Sequence, residues 1–178
     1  MENRMKRQLE ETDKTEETEK KLLVSESKIQ QIFACVDDHQ FQQAIDLIPE
    51  DARHLPLWCE DPPNFSCSVW PLLGYAATQG ACPVIKYLLD GKADIEQLAP
   101  NRHTPLLLAV RAGHVKTIEL LLDRGANIEA RTHKGRTPLM IAAASHARQS
   151  ILELLIERGA DIEAHDNVRS ILFFFKNY

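Results

Sequence analysis

With 178 residues, 44% of them apolar and 6% aromatic, the chain has material for one core and a tail rather than for two large domains. Lysine and arginine number 21 against 26 aspartates and glutamates, and the resulting formal charge of −5 argues against a surface built to grip nucleic acid or an anionic membrane. Cys35, Cys59, Cys67 and Cys82 form no C-x-x-C pair and residues 1–9 show no signal core, so a reduced intracellular setting, cytoplasmic or nuclear, is expected.

Residues 1–28 are dominated by Glu, Lys, Arg and Thr, with Met1, Met5 and Leu9 followed by nothing apolar until Leu22. That spacing sustains no heptad. A solvated lead, helical or disordered, is expected, and a coiled-coil dimerisation arm is the sharper alternative. From Ile29 the texture changes: IQQIFACV, the polar break DDHQ and FQQAIDLI read as two short helices over 29–48. Their apolar faces, Ile32, Phe33 and Val36 on one and Phe41, Ala44, Ile45 and Ile48 on the other, are placed to meet.

Residues 49–70 form an irregular insertion carrying Pro49, Pro56, Pro62 and Pro63 together with Trp58, Phe65 and Trp70. Two readings follow. The segment folds over the first helices as part of the core, because proline reduces the entropy lost on docking and tryptophan favours burial. Alternatively, Trp58 and Trp70 stand outside as an aromatic anchor for a partner.

Beyond Trp70 the chain repeats itself. TPLLLAVRAGHVKTIELLLDRGANIEA at Thr104–Ala130 returns as TPLMIAAASHARQSILELLIERGADIEA at Thr137–Ala164, and Thr137 stands 33 positions after Thr104. A unit recurring at this period with its apolar positions in register is the mark of a solenoid, in which each unit buries its face against the next. Threonine followed by proline opens a helix, since the hydroxyl takes up an orphan amide and the ring presets φ. The first helix of each unit is short (Leu106, Leu108 and Ala109; Leu139, Ile141 and Ala142), with alanines that let backbones approach. Gly113 breaks it, and Val115, Ile118, Leu121 and Leu122 then stripe one face of a second helix opposite Lys116, Glu119 and Asp123. Gly125 and Gly159 fall where left-handed caps are wanted.

Residues 71–98 are a poorer copy ahead of 99–131 and 132–165. Gly80 lies 33 before Gly113, yet no threonine opens the first helix and Lys92 takes the place of the cap glycine, with Gly91 one residue earlier and able to shift the cap. The last unit holds one extra residue within 145–150, which predicts a looser turn. Asp166-Asn167 open like another unit, but VRSILFFFKNY keeps none of its ornaments. Its apolar run, Ile171–Phe175, is far too short to cross a bilayer. It is placed either to dock on the last helix pair or to remain an apolar patch.

The Thr-Pro-Leu openings, Gly113-His114, the leucine-rich second helices and Gly-Ala-Asn/Asp-Ile-Glu-Ala at 125–130 and 159–164 together resemble the ankyrin repeat family. The resemblance implies an all-α repeat solenoid of stacked antiparallel helix pairs with short β-hairpin fingers, in which 29–48 is a degenerate capping unit. Leu107 and Met140 replace the histidine that follows Thr-Pro-Leu in most such units, so its hydrogen bonds are expected to be missing.

Catalytic chemistry has no residues to stand on. There is no glycine-rich phosphate loop, no Gly-x-Ser-x-Gly elbow and no His-Glu-x-x-His helix, so neither an enzyme nor a cofactor is expected. His54, Cys59 and Cys67 match no common zinc spacing, and no metal is expected. His114 reads as a helix-start residue bonding locally.

Family members mostly bind other proteins through the fingers and the inner face of the first helices. Carried over by position, that surface is Leu98, Asn101, His103, Arg111 and Ala112 around one unit, and Arg131, His133, Lys134, Arg136, Ala144 and Ser145 around the next. In an acidic chain these positions carry four cations and no carboxylate, which points to a protein partner with an acidic or phosphate-bearing patch. The competing reading is that charged fingertips serve solubility. On the acidic-partner reading, replacing Arg131 and Arg136 together by glutamate is expected to weaken capture of that partner without unfolding the array. The chain is expected to be a monomeric, non-catalytic scaffold with no small-molecule substrate and no membrane contact. A fragment of a larger ankyrin protein is the runner-up, and a nucleic-acid-associated factor, favoured only by the basic fingers, is a distant third.

Overall fold

A computed structural model describes residues 26–54, 57–60, 69–144 and 149–166. The expectations for 1–25, for Phe65 and Cys67, for the loosened turn at 145–148 and for the tail at 167–178 lie outside these residues. Among the described residues the chain runs through α1 (Glu26–Asp37), α2 (Phe41–Leu47), β1 (Trp58–Glu60), β2 (Val69–Pro71), α3 (Leu72–Thr78), α4 (Cys82–Asp90), α5 (Pro105–Ala112), α6 (Val115–Asp123), α7 (Pro138–Ala144) and α8 (Gln149–Glu157). The helices stack in sequence order. An inner row places α3 on α5 and α5 on α7, while an outer row places α2 on α4 and α4 on α6. This is an all-α repeat solenoid, and none of the described helices is long and apolar enough to cross a membrane.

Local chemistry starts the inner helices. Leu107 N donates to the Thr104 hydroxyl and Met140 N to the Thr137 hydroxyl, both at 3.4 Å. Lacking a threonine, α3 starts differently: Leu72 N donates to the Leu57 carbonyl at 2.8 Å. The insertion thereby satisfies the first amide of α3, where the threonine caps of later units take the third.

That role explains how the insertion folds. β1 and β2 pair antiparallel, Trp58 opposite Pro71 and Glu60 opposite Val69, and Leu57 and Trp70 are buried with the helical core. Trp70 is therefore core and not an exposed anchor; the Trp58 side chain lies outside the described residues. Strands of three residues, one ending in proline, leave no alternation to read in the sequence.

Burial in the inner row exceeds a single stripe. Leu106–Val110 are all buried because α5 has α3 on one side, α7 on the other and α6 behind it. In α6 the expected stripe holds at Ile118 and Leu121, with Thr117 also buried and its hydroxyl 3.3 Å from the Cys82 thiol one unit back. Each fully buried leucine or isoleucine contributes roughly 1.5–3 kcal/mol, so the continuous interior, not helix propensity, carries the array.

The second helices end on left-handed residues at Gly125 (φ +88°) and Gly159 (φ +87°). Gly91 does not shift the cap in the first unit. It sits at φ −81° while Lys92 itself adopts φ +65°. A Cβ on Gly91 would come within 2.3 Å of Arg53 Cβ, so this glycine makes room for the insertion, and the Arg53 guanidinium lies 4.9 Å from the Tyr87 ring centre.

At the other end Ile32, Phe33, Val36, Ala44 and Ile48 are buried in the α1–α2 pair, and the Phe33 and Tyr75 rings lie 4.8 Å apart. The Tyr75 hydroxyl and the Gln79 amide both donate to the Asp37 carboxylate, a polar tie between α1 and α3 that no sequence motif announces.

Candidate interaction surface

A ladder of polar contacts holds neighbouring units in register. His114 Nε2 lies 2.9 Å from the Thr78 carbonyl; since a carbonyl can only accept, that nitrogen carries the proton. His114 therefore bonds across units rather than locally. Its ring occupies the space left by Gly80, where a Cβ would approach Nδ1 to 2.8 Å. Arg124 pairs with Asp90 at 2.9 Å and Arg158 with Asp123 at 2.8 Å. Glu96 accepts from Asn127 N at 2.7 Å, and Glu129 accepts from Asp161 N at 2.8 Å. The Asn/Asp-Ile-Glu motif is thereby explained: its first residue caps its own turn, as in Glu129 N to Asn127 Oδ1 at 2.9 Å, and its glutamate reaches the next unit. In the last unit the outward residues Ile156 and Ile162 are 41% and 52% exposed, whereas their counterparts Leu122 and Ile128 are half-buried.

The ladder presents the fingers side by side. Ala99 N donates to His103 O at 2.8 Å in one finger and Thr132 N to Arg136 O at 3.1 Å in the next, so each is a tight turn closed at its base. His133 N donates to Asn101 O at 3.1 Å and joins the two tips. Gly135 takes φ +76° at the second tip; one period earlier, Asn101 and Arg102 both take left-handed φ, +59° and +58°.

The expected surface residues divide into three groups on this frame. Leu98, Asn101, Arg111, His133, Lys134 and Ala144 are exposed and Ala112 is half-exposed, while Ser145 lies outside the described residues. His103 is half-buried, its Nδ1 3.0 Å from the Pro100 carbonyl. Burial holds its imidazole below the ordinary 6.5; the Pro100 bond opposes the shift, and the nearby charges of Arg111 and His133 add to it. Arg131 and Arg136 form the third group because both are engaged inside the chain. One Arg131 terminal nitrogen donates to Gly135 O at 3.1 Å and to His165 O at 2.7 Å, clipping two fingers together. Arg136 Nε lies 3.7 Å from Asp166, a buried carboxylate that needs a cation beside it. Each arginine therefore has a contact within the chain to lose, as well as a place on the surface.

Arg102 is exposed at the first fingertip and was absent from the surface expected from sequence. A signal was available, since Arg102 stands 33 before Gly135 and so occupies a glycine's place in the repeat. Among the described residues, no group of three or more His, Cys, Asp or Glu side chains is arranged to hold a metal ion.

A family model for ankyrin repeats in three copies matches residues 73–166, just over half of the chain. A search of curated proteins gave no match. The order of stacking, the threonine caps, the left-handed glycines and the glutamate ladder agree with that match, and the chain belongs to the ankyrin repeat family.

Proposed function

We propose that this protein is a monomeric, non-catalytic interaction scaffold that holds a partner protein along its fingers and inner helical face, through an acidic or phosphorylated segment of that partner. Ankyrin repeats generally mediate protein–protein interaction. The observation that supports the acidic partner is the charge of the fingers. Residues 97–103 and 130–136 carry Arg102, Arg131, Lys134 and Arg136 and not one carboxylate in a chain of net charge −5. A carboxylate next to them, Asp166, is buried beside Arg136. Complementary charge steers encounter and suppresses wrong partners more than it adds affinity.

A crosslinking pull-down with the full chain, wild type beside Arg111→Glu/Lys134→Glu, tests this reading. Recovery of a specific protein that is lost in the double variant and weakened by salt is expected. Equal recovery by both forms would remove the finger surface as the binding face.

A further inference from the structure

Arg102 occupies the position that the following repeat fills with Gly135. Gly135, one period on, adopts φ +76°, and Arg102 adopts φ +58° with Asn101 before it at φ +59°. Asparagine tolerates the left-handed region because its short polar side chain can bond locally, but arginine has no such compensation there. Among the described residues the Arg102 side chain makes no hydrogen bond or ion pair that would hold the backbone in this state. Lys92 is left-handed too, at φ +65°, but it closes a helix end, whereas Arg102 stands on an exposed fingertip, the kind of place where such strain accompanies function.

The neighbouring fingertip supplies a second cation. His133 N bonds to Asn101 O at 3.1 Å, and the residues that follow these two partners are Lys134 and Arg102. Both are exposed, and Lys134 likewise has no partner among the described residues. Arg131 and Arg136 are committed to His165 O, Gly135 O and Asp166, so Arg102 and Lys134 are the fingertip cations left to meet something outside the chain.

We infer that Arg102 and Lys134 form a two-cation grip on adjacent fingertips that takes an oxyanion of an acidic segment in the partner protein; this deepens, and rests on, the acidic-partner reading above. The arginine fork suits two oxygens of one carboxylate or phosphate, and the lysine adds a mobile point charge beside it. The backbone bond between the tips holds the two chain positions side by side, so both cations start from neighbouring anchor points before the partner arrives.

The test uses the full chain and two labelled peptides, one with spaced glutamates and one with phosphoserines at the same places, read by fluorescence anisotropy beside thermal melts. Both Arg102→Ala and Arg102→Gly are expected to weaken capture about tenfold, and Lys134→Ala by about threefold. Arg102→Gly is also expected to raise the melting temperature, because glycine relaxes the left-handed backbone, whereas Arg102→Ala is not. The peptide held more tightly by wild type tells carboxylate from phosphate. Wild type that captures either peptide equally well as Arg102→Gly overturns this inference alone. An Arg102→Gly melt below that of wild type overturns the strain argument. Wild type that captures neither peptide overturns the acidic-partner reading and the grip together.

Discussion

His114 Nε2 donates to the carbonyl of Thr78 at 2.9 Å, and the ring that makes this bond lies against the bare Cα face of Gly80. Two residues of different units are thus shaped for each other, one by a side chain and the other by having none. Gly80 is also left-handed, at φ +69°. Gly80→Ala is expected to destabilise by about 1–2 kcal/mol from backbone alone, with a further loss from the approach to the His114 ring at 2.8 Å. In a His114→Ala background that further loss should vanish. Urea melts of the four proteins of this cycle measure the difference, and strict additivity would mean that the two residues do not sense each other.

Leu121 is fully buried in the middle of the α6 stripe. Leu121→Ala should destabilise by about 2–5 kcal/mol, the range for removing a packed leucine and leaving a cavity. An unmoved denaturation midpoint would show that the stripe is not packed.

Lys92 and Gly91 make opposite predictions one residue apart. Lys92 holds φ +65°, so Lys92→Gly should stabilise by roughly 1 kcal/mol. Gly91→Ala should destabilise, because its Cβ would fall 2.3 Å from Arg53 Cβ in the insertion. Thermal melts of both variants check the pair, and a tolerated Gly91→Ala would mean that the insertion does not press on α4.

The lowered pKa of His103 ties stability to pH. Its folded value lies below 6.5, so between the two values the unfolded chain binds the proton more readily. Stability then falls as pH drops from about 6.5 and stops falling below the folded pKa. His103→Gln should flatten that part of the acid limb, as seen in urea midpoints at about pH 7.5 and about pH 5. Because Arg111 and His133 also depress this pKa, Arg111→Gln should raise it, which NMR titration of the imidazole would read directly.

Much of the array was legible because ankyrin units are built from local signals. Thr104 and Thr137 cap where a threonine before proline should, and Gly125 and Gly159 turn left-handed where a helix must stop. Where a signal was missing, the sequence left the answer open. Nothing around Pro71 shows that the Leu57 carbonyl takes the first amide of a helix without a side-chain cap, and nothing near Lys92 shows that the space at its neighbour Gly91 is taken up by Arg53. Both depend on which parts of the chain meet across a distance.

The surface shows the same division more sharply. Period and composition alone determined that the fingers are basic and that the helices stack, since apolar spacing and charge count are properties of the chain itself. Only the folded arrangement decided that the exposed Arg131 and Arg136 are engaged by His165 O and Asp166 while Arg102 and Lys134 stand exposed on adjacent tips. A guanidinium has the same charge whether it is paired or free. Whether it is paired depends on a carbonyl or carboxylate some 30 residues away in the next unit, and bringing the two within hydrogen-bonding distance is the work of the stacked interior.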